Sequence, residues 1–256
     1  MSFFFGFNFN NFKSSITIPR FQNFGKRNSE LVIYSYEINR GKWKITKVNC
    51  DFDQNFYYLT ENNIDNKKIF FLATHDEIVN YNYNILQKFN DFTITNPAFR
   101  CNLKVTNSND GFSSYQSEYP FGMTSKNGTI ISSLFALTNQ FSDNNYVIFR
   151  NIFHEPIEIL FDMYVVDMKN NSVEEKFTLS TNQTSLIKLN KNLIKSDYYL
   201  VSEKFIGIPV YLSEKNNHLS FEHTHPPHEY IQTTDRFKQV NKLKKQALDI
   251  IGKKNI

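Results

Sequence analysis

Three histidines and two carboxylates fall within ten residues, Phe221-Glu222-His223-Thr224-His225-Pro226-Pro227-His228-Glu229-Tyr230. Neutral imidazole nitrogens and carboxylate oxygens are ligands for Zn, Fe or Mn, and the same groups transfer protons in acid–base catalysis. A strand over 219–225 would place His223 and His225 on one face, continuing Leu219 and Phe221, and turn Glu222 to the other. Pro226-Pro227 then ends the ladder, because neither residue has an N–H to donate, and stiffens the turn that follows. That turn can bring His228 or Glu229 back toward the histidine pair. The expected metal set is His223, His225, His228 and Glu229, with His228 and Glu229 as acid–base candidates. The plainer alternative is a corner in which these side chains hydrogen-bond to backbone and to Glu229.

The spacing His223-x-His225-x-x-x-Glu229 resembles the first metal-binding motif of the cupin family over seven residues. The glycines that flank that motif in cupins and their second histidine strand have no counterpart here, so the likeness is one of ligand spacing and assigns no family. His154, in Phe153-His154-Glu155-Pro156, is a candidate remote ligand or base, whereas His75 and His218 read as turn residues. Arg150 sits among apolar strand residues and suits an ion pair or a carboxylate or phosphate clamp. Phosphate-binding glycine loops, GxSxG and HExxH patterns are absent.

Composition narrows the class of protein. With 29 Lys and Arg against 25 Asp and Glu, the net charge of +4 is too mild to imply nucleic acid. The two cysteines, Cys50 and Cys101, make neither a zinc ribbon nor a disulfide framework, and two thiols are expected. No stretch reaches the ~20 apolar residues of a membrane helix. The Phe-rich start lacks the basic region and cleavage site of a signal peptide, which leaves cytoplasmic residence as the expectation. Asn and Lys are abundant everywhere, so single ones carry little signal.

Four regions follow from the periodicity. Residues 1–29, rich in Phe but without sustained alternation, are expected to form an arm that lies on its own domain or builds a homo-oligomer. Over 30–95, strands Leu31 to Ile38, Trp43 to Val48, Phe56 to Leu59 and Ile69 to Thr74 make a β meander, the first two joined by the hairpin signal Asn39-Arg40-Gly41-Lys42. Ile78, Tyr81, Ile85 and Phe89 then recur at helical spacing and predict one helix of about four turns. Residues 96–231, with a long polar loop at 107–126 and short strands at 146–153, 157–165, 173–179, 186–189, 198–202, 210–213 and 219–225, predict an antiparallel β-sandwich or jelly roll. At 232–256 the stripe Phe237, Val240, Leu243, Ala247, Leu248 and Ile251 predicts a basic amphipathic helix, with Thr234 as N-cap and Gly252 as its stop. Docking of that stripe onto the protein's own sheet is favoured over a membrane or RNA surface.

Two functions are compatible with this reading. The first is a divalent-metal or His/Glu acid–base site acting on a small polar or carbohydrate-like substrate. The second is a non-catalytic β module for glycan binding or assembly.

Overall fold

A computed structural model describes residues 2–20, 31–89, 101–108, 111–116, 118–125, 127–223 and 235–254. Alternation of apolar and polar residues, cut at short intervals by Asn and Gly, favours short antiparallel strands. Two hairpins show how the turns are made: Arg40 and Gly41 (φ 51° and 71°) and Asn216 and Asn217 (φ 47° and 68°) are two-residue loops with both positions left-handed. That geometry matches the twist of paired strands and suits Gly and Asn. Asn is therefore informative at these turns despite its abundance.

In chain order the strands are β1 (Ser2–Phe4), β2 (Asn8–Phe9), β3 (Phe12–Pro19), β4 (Val32–Asn39), β5 (Lys42–Lys47), β6 (Asp51–Phe52), β7 (Phe56–Leu59) and β8 (Ile69–Ala73). A short helix α1 (His75–Ile78) precedes β9 (Asn102–Asn107), β10 (Phe112–Gln116), β11 (Glu118–Pro120) and β12 (Ile130–Ser133). After α2 (Leu134–Leu137) come β13 (Asn144–Arg150), β14 (Leu160–Asp167), β15 (Ser172–Ser180), β16 (Thr184–Leu189), β17 (Tyr198–Ser202), β18 (Ile208–Lys215), β19 (His218–His223) and the long helix α3 (Asp235–Lys254). They pair into four antiparallel sheets: I, β11-β1-β8-β4-β5; II, β10-β9-β3-β7-β6 with β2 on β3; III, β12-β17-β14-β15; IV, β16-β13-β18-β19.

The chain is mainly β and antiparallel, with one long C-terminal helix, as expected. The sandwich or jelly roll expected for 96–231 is corrected: four small sheets are grouped as blades, propeller-like, and no single two-sheet sandwich forms. Strands β9 and β10 join sheet II beside β3, and β11 joins sheet I beside β1, so sequence on both sides of residue 96 shares two sheets. One core packs sheets I and II against Tyr146, Ile148, Val210 and Leu212 of sheet IV. A second packs the other face of sheet IV against sheet III.

Four further expectations are sharpened or changed. Residues 2–20 lie on the chain's own domain, the first of the two alternatives expected for the arm: Phe3, Phe4, Phe5, Phe7 and Phe12 are fully buried within the chain's own cores, while 21–29 lie outside the described residues. The four-turn helix shrinks to α1, because Asn80, Asn82 and Asn84 are poor helix formers whose side chains compete for backbone. Asn82 Oδ1 accepts from Asn84 N (2.9 Å), and Tyr83 O accepts from Trp43 N (2.7 Å) at the edge of β5. Leu86 and Phe89 are nevertheless buried, and Ile78 and Tyr81 pack with them over sheet I, so the apolar spacing marks a covering segment. The loop at 107–126 contains β10 and β11, and α3 continues past Gly252 to Lys254.

Helix α3 covers sheet III as the stripe predicts, with Ala247, Ile250 and Ile251 buried against Tyr164, Val166 and Val201. Among the described residues no helix is long and apolar enough to cross a membrane. Both cysteines are free thiols, Cys101 buried and Cys50 partly so.

Burial of Tyr36, Tyr119 and Tyr211 raises their phenol pKa values well above the ordinary value. A raised folded pKa means that the unfolded chain loses these protons first, so their contribution to stability is complete below about pH 10 and falls as pH climbs beyond it. Alkaline titration followed by phenolate absorbance is expected to show these three lagging until the fold opens. Release of all tyrosines in one step with the fold intact would contradict the burial argument.

Candidate functional site

His223 is the last residue of β19, paired opposite Val210. Leu219 and Phe221, which share its parity, pack against the main core, so the side of the strand expected to carry the histidines is the inward one. His225, His228 and Glu229 lie outside the described residues, as does the Pro226-Pro227 step. Among the described residues no group of three His, Cys, Asp or Glu side chains is placed to hold a metal ion. His154 is a corner residue: its backbone oxygen accepts from Trp43 Nε1 (3.0 Å) and Leu86 N (2.9 Å), while Nδ1 lies 3.4 Å from Thr124 O and Nε2 3.5 Å from Glu155 Oε1. His75 opens α1 and His218 opens β19.

A concavity forms elsewhere, where three distant segments meet. The β2–β3 turn (Phe9 to Asn11), the 65–67 turn, and the facing parts of β15 and β16 enclose two adjoining depressions of about 490 and 510 Å³ that share Phe9, Asn66 and Leu186. Both β15 and β16 are the outermost strands of their sheets, so the groove follows two open sheet edges.

Its walls are locked by amide pairing. Asn66 Oδ1 accepts from Asn8 N (2.8 Å) and its Nδ2 donates to Asn8 O (3.0 Å), which ties the two turns together. Asn8 Nδ2 donates to Glu61 O and Ile64 O, which leaves Asn8 Oδ1 buried without a partner among the described residues. Asn66 O accepts from Thr184 N (2.8 Å) and caps the first outward position of the β16 edge. Phe9 packs on the fully buried Phe7, with ring centroids 5.5 Å apart, so its half-buried ring has a fixed support.

Arg150 lies beneath this wall, wholly buried. Nη1 donates to Asn66 O (2.5 Å) and Thr184 Oγ1 (3.2 Å), Nη2 donates to Lys68 O (3.2 Å), and Nε has no partner among the described residues. Among the described residues it makes no salt bridge, so the expected ion pair is replaced by backbone carbonyls. Burial pulls its pKa down to about 9, with Tyr119 and Asp65 pushing the other way, and the group stays cationic at neutral pH. It fastens the 66–68 turn to sheet IV.

The groove charges are balanced locally. Lys67 Nζ pairs with Glu158 Oε1 at 2.7 Å, and Asp65 Oδ1 accepts from Lys67 N at 2.7 Å. By contrast, the side chains of Asn10, Asn11, Gln183 and Ser185 hold no hydrogen bond to other described residues. Reading single residues missed all four, since Asn was discounted as background; the useful signal was Asn10-Asn11 and Asp65-Asn66 at tight turns.

These features define a mainly-β protein with an open, polar, aromatic-floored groove at its sheet edges. No family model, curated protein or solved structure matches the chain.

Proposed function

We propose that this chain is a non-catalytic binding module whose groove takes carbohydrate. The observation that carries this reading is the pairing of a supported aromatic face, Phe9, with uncommitted amides and a hydroxyl on Asn10, Asn11, Gln183 and Ser185. A sugar ring presents the complementary surfaces: apolar C–H groups that gain from leaving water, and hydroxyls that donate and accept. Binding is favoured over hydrolysis because glycosidases use two carboxylates roughly 5–10 Å apart, and Asp65 is the only carboxylate among the lining residues. Titration of labelled protein with oligosaccharides should perturb backbone amides of 9–11, 65–67 and 183–186. Carbohydrate-induced perturbation confined to other surfaces would remove the groove from consideration.

A second site is proposed at His223, His225, His228 and Glu229 as a Zn, Fe or Mn set. It is supported by β19 ending at His223 with Leu219 and Phe221 turned inward. Protein purified without an affinity tag is expected to carry about one equivalent of metal, lost on paired His223→Ala and His225→Ala substitution. Absence of stoichiometric metal together with no uptake on titration would discard the site.

A further inference from the structure

We infer that the groove selects an uncharged glycan spanning at least two sugar units, with Phe9 as the platform at their junction; this rests on the reading of the groove as a carbohydrate site. The charge argument comes first. Lys67 is paired to Glu158, Arg150 is enclosed by carbonyls, and Asp65 is the one remaining lining charge, itself hydrogen-bonded to the Lys67 amide. Among the described lining residues no cation is left over for a sulfate or uronate, while the uncommitted groups are neutral amides and a hydroxyl. An uncharged partner suits them.

Length follows from the shape. The two depressions are continuous through Phe9, Asn66 and Leu186, so a ligand filling one meets Phe9 before entering the other. Both are open, which admits a chain passing through and not only its end. The wall also discriminates against a peptide. An extended peptide would add to the outer edge of β16, but Asn66 O already occupies Thr184 N at the start of that edge, and the 65–67 turn is locked in place by the double Asn8–Asn66 contact, so a peptide strand would forgo its first edge bond. The platform is rigid, because Phe7 backs the Phe9 ring and the double Asn8–Asn66 contact fixes the adjoining backbone. A preorganised platform loses little on binding.

The test uses the full chain, isotope-labelled, titrated with cellotriose, maltotriose and mannotriose beside their monosaccharides, and with trigalacturonate as the acidic counterpart. A neutral trisaccharide is expected to shift the amides of 9–11, 65–67 and 183–186, with its monosaccharide at least about tenfold weaker and the affinity unchanged by about 0.5 M salt. Phe9→Ala should weaken binding roughly tenfold and Phe9→Tyr should retain it. Gln183→Ala, which leaves the backbone bond from Asn151 N to Gln183 O in place, should weaken it about fivefold. Salt-sensitive binding of trigalacturonate alone at the same amides would overturn the inference of an uncharged ligand while leaving the groove as the site. Equal affinity for monosaccharide and trisaccharide would overturn the two-unit span. Neutral glycans perturbing only other surfaces, or no member of the panel binding, would overturn the inference together with the reading beneath it.

Discussion

Arg150→Ala is expected to lower unfolding free energy by about 3–5 kcal/mol, combining a large-to-small cavity with an orphaned, partly buried carbonyl. The side chain is wholly buried, and among the described residues its fork alone donates to Lys68 O, whereas Asn66 O keeps Thr184 N when the guanidinium is gone. Removing a desolvated charge returns part of that loss, which is why Arg150→Met, keeping most of the volume, is expected to cost less, about 1–3 kcal/mol. The location adds a second consequence. Asn66 and Lys68 lie between sheets I and II in sequence, and Thr184 belongs to sheet IV, so the guanidinium couples the two parts of the fold through the groove wall. The alanine variant should therefore also weaken the glycan binding proposed for the groove, even at a temperature where it remains folded. Denaturant midpoints and ligand titration together check this; a variant as stable as the parent would show that the carbonyls find other partners and that the clamp is dispensable.

The difference between what could and could not be read in the sequence follows from which faces are buried. Strands at 56–59 and 198–202 were legible with their bounds, and the apolar stripe of α3 identified both the helix and its docking. The Phe-rich start was not, because β1 lies between β11 and β8 in sheet I and the segment buries both faces: Phe3 and Phe5 enter one core and Phe4 and Phe7 the other. A strand buried on both sides loses the alternation that announces it. β10 was hidden for the opposite reason, since Phe112 is well exposed and Ser113, Ser114 and Gln116 look like loop. In the 75–89 segment, Ile78, Tyr81 and Phe89 point inward at helical spacing, but the intervening asparagines take the backbone along the edge of β5. The groove was illegible for a third reason: its parts lie at 9–11, 65–67 and 178–186, and only pairing of distant strands brings them together. Arg150 could be recognised as unusual, but its partners are backbone oxygens, which leave no trace in side-chain chemistry.

Gly111→Ala tests the other joint between the two parts of the chain, on the side where β10 of sheet II lies alongside β19 of sheet IV. A Cβ at Gly111 would stand 1.7 Å from Asn217 O, a backbone atom in the tight β18–β19 turn. That carbonyl cannot swing away cheaply, because Asn216 and Asn217 are both left-handed and set the hairpin's two-residue loop. Nor can Gly111 retreat alone: its N–H donates to Asn107 Oδ1 (2.8 Å) and its carbonyl accepts from Asn107 N (2.9 Å). Asn107 Nδ2 in turn reaches Glu214 Oε1 (3.0 Å) and Asn217 O (3.1 Å), so separating the turns breaks the cross-sheet bonds as well as relieving the clash. The expected loss is about 2–4 kcal/mol, from overpacking plus those bonds. Two controls isolate the cause. A Cβ at Gly122 or at Gly252 meets nothing within 4 Å, so Gly122→Ala should stay within about 0.5 kcal/mol of the parent, and Gly252→Ala, inside α3, should gain roughly 0.5–1 kcal/mol from helix propensity. Urea unfolding of the three variants side by side gives the ranking, and Gly111→Ala as stable as Gly122→Ala would mean that the β9–β10 turn does not press on the β18–β19 hairpin.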